Sequence, residues 1–171
     1  MNSISFRLMA KNFKNRYKPE NVARVLDEVE IREGDTILDF GCGPGGYTFG
    51  AALRVGKTGV VYALDKTRIA GKYIMKGARE HNLENIVFIH SSGETRLADE
   101  SVDVVLLYDT FHMLKNKGMV LTELHRVLKT EGILSFSDHH MQEEKIMKAF
   151  EDSGLYHLLE KGDKTYEFRK K

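Results

Sequence analysis

The sequence predicts a doubly wound α/β domain, a mostly parallel sheet with helices on both faces and an antiparallel hairpin at its end. Two observations carry this. Short runs rich in Val, Ile and Leu alternate with longer segments of helical periodicity, and right-handed crossovers assemble such βα units into a parallel sheet. The segment LYHLLEKGDKTYEFRKK breaks the alternation. It holds two strand-like runs around a Gly-Asp turn, too close together for a crossover helix, so they pair antiparallel. At 171 residues, without internal repeats or a linker, the whole chain, 1–171, is expected to form one domain.

The elements follow in order. KPENVARVLDEVEI places Pro19 where a first helical turn tolerates it and spaces Val22, Leu26 and Val29 helically. GDTILDF is a first strand, and YTFGAALRVG a short helix stopped by Gly56. GVVYALD is a second strand, ending at Asp65. IAGKYIMKGAREHN is a helix with Ile69, Tyr73 and Ile74 on one face, and NIVFIH a third strand. SVDVVLLYD is apolar enough to be buried on both faces of the sheet. KGMVLTELHRVLK lines Val120, Leu121, Leu124, Val127 and Leu128 along one stripe, and TEG is expected to turn into a fifth strand, ILSFSD. EEKIMKAFEDSG is a last helix ending at Gly154.

Composition narrows the partners. Lys and Arg number 26 against 25 Asp and Glu, so net charge selects no polyanionic partner. The single cysteine, Cys42, has no internal disulfide partner, and MNSISFRLMAKNFKNRY contains no apolar core of a signal peptide, so a cytoplasmic location is expected. No run approaches the roughly 18 apolar residues of a membrane span, so no membrane insertion is expected. Lys11, Lys14, Arg16 and Lys18, with Phe13 and Tyr17 interleaved, form either a solvated face or a seat for RNA or an anionic substrate. Residues 1–18 are also the obvious lid.

The chemistry concentrates in TILDFGCGPGGYT. Gly41, Gly43 and Gly46 fit G-x-G-x-x-G between a strand and a helix, and Asp65 stands nineteen residues after Gly46 at the next strand end. Glycines admit a ligand close to the backbone, and an acidic side chain at that distance suits ribose hydroxyls, although a tight turn needs glycine on steric grounds alone. Asp39 separates the ribose cofactors. A dinucleotide pyrophosphate is anionic and a carboxylate two residues before the first glycine repels it, whereas an ammonium or sulfonium cation is attracted. The alternative is that Asp39 accepts hydrogen bonds from loop N–H groups around Gly43 to Gly46.

ILDFGCGPGGYT, VVYALD, SVDVVLLYDTFHML and ELHRVLKTEGILSFSD, in this order and spacing, resemble the class I S-adenosylmethionine-dependent methyltransferases, within them the small ubiquinone/menaquinone-biosynthesis-like branch. The resemblance implies a Rossmann-like fold and S-adenosylmethionine as cofactor. It implies Asp39, Gly41 and Gly43 around the methionine part, with Cys42 and Gly46 in the same loop, and Asp65 on the ribose. Ser92, Gly93 and Glu94 would lie by the adenine and Tyr108 beside the methionine part. The family's LKPGG turn is LKTEG here. The fourth strand ends in YDTF instead of the Asn/Asp-Pro-Pro-aromatic tetrad of enzymes that methylate base or glutamine amides, which disfavours those substrates.

A sulfonium methyl is already activated, so transfer needs in-line placement, exclusion of water and, for some acceptors, removal of a proton. Asp109 and His112, just past the fourth strand, are the candidate catalytic residues; the alternative is a loop cap and a packed ring. His139 and His140, in SDHH, either line the acceptor pocket or ligate a metal, which needs a third, distant ligand; no metal is expected. One cysteine supplies no thiol cluster for thiol-based arsenic methylation. The expected activity is methyl transfer to a small-molecule acceptor, with nucleic acid or protein acceptors open. The alternatives are a nicotinamide-dependent oxidoreductase and a non-catalytic binding module.

Overall fold

A computed structural model describes residues 17–171. The expected lid, 1–18, lies outside the described residues except for its last two. Helix α1 (Pro19–Leu26) leads into β1 (Thr36–Phe40), α2 (Gly46–Val55), β2 (Val60–Asp65), α3 (Arg68–Glu80) and β3 (Ile86–His90). Then come β4 (Val102–Tyr108), α4 (Lys117–Val127), β5 (Leu128–Ser137), α5 (Glu143–Ser153), β6 (Tyr156–Lys161) and β7 (Tyr166–Lys170). A short 3-10 turn, Phe111–Met113, follows β4.

The seven strands are ordered β3-β2-β1-β4-β5-β7-β6. β1 to β5 pair in parallel, β7 lies antiparallel to β5, and β6 pairs antiparallel with β7 at the edge. The predicted doubly wound, Rossmann-like sheet with its antiparallel hairpin is the observed fold. Because successive side chains of a strand point to opposite faces, Leu38, Val105 and Leu107 join Leu121, Leu124, Ile146 and Phe150 on one side. Ile37, Val104 and Leu106 join Val22, Leu26, Ala51 and Ile74 on the other. β4 contributes to both layers, as its continuous apolar run requires.

Two local expectations are corrected. TEG is no turn between helix and strand. β5 begins at Leu128, and because Val102 pairs with Leu128 but Val104 with Ile133, residues 129–132 bulge between two rungs of the ladder. The Lys129 ammonium on Asp103 at 2.6 Å and the Thr130 hydroxyl on Glu100 at 2.8 Å hold the bulge. On α3 the buried stripe is Ala70, Gly71, Ile74, Gly77 and Ala78, while Ile69 and Tyr73 are only half-buried. Aromatic rings from the neighbouring elements fill the space: a Cβ on Gly71 would stand 2.6 Å from the Phe88 ring, and one on Gly77 2.2 Å from that of Phe49.

Past α1, Glu28 ties the start of the described chain to the closing hairpin. Its carboxylate accepts the Lys164 N–H at 2.9 Å and the Thr165 N–H and hydroxyl at 2.8 and 2.9 Å. Glu28→Ala is expected to lower unfolding free energy by about 1–3 kcal/mol, the usual effect of removing a multiply bonded charged acceptor. A urea titration checks this; an unchanged midpoint would show the tether to be incidental.

Candidate functional site

Between β1 and β4 the order of the strands reverses, and loops leaving their carboxyl ends diverge to open a crevice, the usual ligand position in such sheets. The loop after β1 folds back on β2. The N–H groups of Gly41 and Cys42 both donate to the Leu64 carbonyl, at 2.8 and 3.0 Å. Gly41 needs its glycine twice over: φ is +84°, and a Cβ would stand 2.2 Å from the Thr110 hydroxyl. The third motif position is built differently from the expectation. Gly45 carries the left-handed backbone, φ +96°, whereas Gly46 opens α2 and leaves room for the Tyr17 ring, which a Cβ would meet at 2.1 Å. Cys42 is buried, its thiol pushed well up by desolvation.

Asp65 closes the loop. Its carboxylate accepts the Gly43 N–H at 3.1 Å with one oxygen and the Thr67 N–H and hydroxyl at 2.8 and 2.7 Å with the other. Asp39 is more deeply placed, 3% exposed, and takes the Thr48 hydroxyl at 2.5 Å. That donor is the first turn of α2, where the alternative reading had put loop N–H groups around Gly43 to Gly46. Burial pushes the Asp39 carboxyl up to about 7; Thr48 opposes the shift and the neighbouring Asp65 charge adds to it.

The loop after β3 brings Ser92, Gly93 and Glu94 into a cleft of about 990 Å³ with Lys66, Met113, Leu114 and Met119. A charged brace holds the loop. Glu123 on α4 accepts the Thr95 N–H at 2.9 Å and its hydroxyl at 2.6 Å, and is itself gripped by Arg126, which draws its carboxyl down to about 2. Tyr108 lies at the end of β4 with its side chain in the core, 5% exposed. Its hydroxyl is 2.8 Å from that of Ser135, and its ring stands edge-on to Tyr47 at 4.8 Å.

The ends of β4 and β5 lie side by side, Tyr108 opposite Ser137, and this register assembles two Asp–His pairs. Asp109, at φ +49°, bonds the Nδ1 of His139 and accepts its N–H at 3.2 Å. Asp138 has a fully buried side chain that accepts the backbone N–H groups of His112 and His140, at 2.9 and 3.1 Å, and faces the His112 Nδ1 at 2.9 Å. An ionised carboxylate can only accept, so the His112 Nδ1 donates to Asp138, and in the neutral ring Nε2 is then the unprotonated nitrogen. The rings of His112 and His140 lie 4.3 Å apart. Among the described residues no three His, Cys, Asp or Glu side chains converge as metal ligands. Asp109 and His112 therefore share the strand-end cluster without touching one another in any bond described.

The family model described as "Methyltransferase domain" matches residues 31–171. The chain belongs to this methyltransferase family. The arsenite methyltransferase of Halobacterium salinarum is 33% identical over 136 residues, 71% of this chain and 35% of that protein. A solved S-adenosylmethionine-dependent methyltransferase from Aquifex aeolicus superposes with a TM-score of 0.78 at 26% identity, covering 94% of this chain and 96% of that one. Coclaurine N-methyltransferase bound to N-methylheliamine and SAH shares the fold, with a TM-score of 0.61 at 23% identity over 68% of this chain and 33% of that one. The chain spans about a third of the length of the curated relatives it matches. Membership makes S-adenosylmethionine the cofactor of this methyltransferase fold, the expectation drawn from Asp39, and gives no support to a nicotinamide site. The match is to the methyltransferase domain at large, coarser than the quinone-biosynthesis-like branch.

Sequence reasoning misses Thr48, Thr67 and Thr110 and reaches Asp138 only as part of SDHH. Thr48 had a local signal, a hydroxyl in the first helical turn after the glycine loop; Asp138 had none without the β4–β5 register.

The buried Asp39 carboxyl predicts a pH effect. The folded Asp39 value, about 7, lies well above the ordinary aspartate range, so the folded state retains a proton that the unfolded chain releases. Its contribution is fully present below about pH 4 and lost as pH rises through about 7. Between about pH 5 and 8 the melting temperature of cofactor-free protein is expected to fall more steeply than that of Asp39→Asn. Equal slopes in parallel thermal melts would contradict the burial argument.

Proposed function

We propose that this domain transfers the methyl group of S-adenosylmethionine to a small-molecule acceptor that must lose a proton, with His112 as the base. The observation that carries the reading is the buried Asp138 carboxylate on the His112 Nδ1, which leaves Nε2 as a proton acceptor on a ring that is one-quarter exposed. When bound, the cofactor supplies an activated methyl on sulfur. His112 Nε2 would take the X–H proton as the acceptor receives that methyl, so that no charge is left on the acceptor. Asp109, bonded to His139 in the same cluster, would bind or polarise the acceptor.

The ligand end suits the cofactor. Asp39, desolvated and bonded by Thr48, gains from a cationic ammonium or sulfonium neighbour; Gly41, Cys42, Gly43 and Gly46 supply a close backbone, and Asp65 keeps acceptor capacity for ribose hydroxyls. Ser92, Gly93 and Glu94 would take the adenine. Tyr108 would contribute through its main chain, since its hydroxyl is engaged with Ser135. Within the class, the run from Glu123 to Asp138 supports the ubiquinone/menaquinone-biosynthesis-like branch. An acceptor bound through several thiolates, as an arsenic substrate would be, is disfavoured: the one cysteine is buried and its thiol is held protonated.

Calorimetry is expected to show micromolar-range binding of S-adenosylmethionine or its demethylated product and far weaker binding of NADH. Asp65→Ala should weaken cofactor binding by about tenfold or more, since each charge-assisted hydrogen bond is worth roughly 1.5–3 kcal/mol. An affinity unchanged in the folded variant would confine Asp65 to holding the glycine loop.

For catalysis, acceptors found by screening metabolite classes with labelled methyl donor allow a direct test. His112→Ala should lower kcat by about 10²–10⁴ with cofactor affinity preserved. Asp138→Asn should lower kcat by about tenfold or more by releasing the ring from its tautomer. A full kcat in His112→Ala would return this residue to packing.

A further inference from the structure

A second concave surface, lined by other residues than the cleft of Ser92, Gly93 and Glu94, lies between α3 and the edge strand β3. Arg68, Lys72, Met75 and Arg79 succeed one another at steps of four, three and four along α3, one face of the helix about 16 Å long at 1.5 Å per residue. With Gly71, Phe88 and His90 they line a groove of about 620 Å³. Among the described residues Arg68, Lys72 and Arg79 form no ion pair. The nearest carboxylate along the helix, Glu80, is taken by Lys76 at 3.5 Å. In a chain whose net charge is only +1, three unpaired cations along one groove are a local concentration.

The groove runs beside an open backbone. β3 pairs only with β2 among the described strands. The Asn85 carbonyl accepts the Val61 N–H and the Ser91 N–H donates to the Asp65 carbonyl, so these residues face β2. Alternation along the strand then directs the N–H and C=O groups of Ile86, Phe88 and His90 outward. Edge strands are ordinarily blunted by a lysine, a proline or a bulge. Ile86–His90 carries none of these, and Val87 is 46% exposed.

We propose that this groove docks an extended acidic segment of a partner protein, which adds to the sheet as a strand along β3. Main-chain hydrogen bonds to Ile86, Phe88 and His90 would set its register, and acidic side chains at every second position would face α3. The spacing agrees: alternate residues of a strand repeat at about 7 Å, and Arg68 and Lys72 lie about 6 Å apart along the helix axis. The same cations repel a second copy of this edge. A single-stranded nucleic acid fits less well, because it needs exposed stacking faces. The Phe88 ring is packed against Gly71, and His90 is engaged with the Lys66 carbonyl at 3.2 Å.

The test titrates ¹⁵N-labelled protein with a short synthetic peptide alternating Glu with Thr and Val, its Lys-for-Glu counterpart, and an oligothymidylate strand. The acidic peptide is expected to bind and to slow hydrogen exchange at the Phe88 and His90 amides. Lys72→Glu combined with Arg79→Glu should weaken that binding by about tenfold or more while S-adenosylmethionine affinity stays unchanged. Absence of acidic-peptide binding at about millimolar concentration, binding that survives the charge reversal, or preferential binding of the oligothymidylate would each overturn the proposal.

Discussion

Hydrogen bonds from loop donors to carboxylates hold together the ligand end of this sheet. Asp39, Asp65, Asp109 and Asp138 all stand at or just past the carboxyl ends of parallel strands, where the strand ladder stops and the backbone turns away. A carboxylate removed from water is costly unless donors converge on it, so the loops are shaped by that demand. Asp65 draws Gly43 and Thr67 together and so shapes the glycine loop. Asp138 gathers His112 and His140, and so fixes the 3-10 turn after β4 against the end of β5. Asp39 is the exception: Thr48 alone leaves its desolvation largely uncompensated, and its raised proton affinity is the result.

The difference among these acids divides the crevice. On the β1–β2 side the carboxylates organise backbone, and the unsatisfied one calls for a cation. On the β4–β5 side they orient imidazoles. The reversal of strand order between β1 and β4 puts the two sides next to each other at one crevice.

The strands and helices were legible because their periods are local, and the glycine loop because Asp39, Gly41 and Gly43 are neighbours in the chain. What depended on register or on packing across elements was not. His112 and Asp138 meet only because Tyr108 pairs with Ser137. Gly46 fits the motif by spacing, but its reason is the Tyr17 ring, while the strained position falls to Gly45. Thr130, Glu131 and Gly132 read as a turn because such residues favour one; the Lys129–Asp103 pair helps to hold residues 129–132 in the ladder as a bulge. Likewise, α3 hides small residues because the rings of Phe49 and Phe88 reach it from outside its own sequence.

The order of the closing strands bears on how the chain is made. β6 precedes β7 in synthesis, yet β7 is the strand that joins β5, and β6 reaches the sheet only through β7. While the ribosome is still adding Tyr166–Lys170, β6 has no partner and the flank of β5 that β7 will cover is bare. Exposed strand edges of this kind invite wrong pairing during folding. Phe168 stacks on Phe150 at 3.7 Å, so the arrival of β7 also completes the packing of α5. This flank of the sheet is therefore complete only once the last strand of the hairpin has been added.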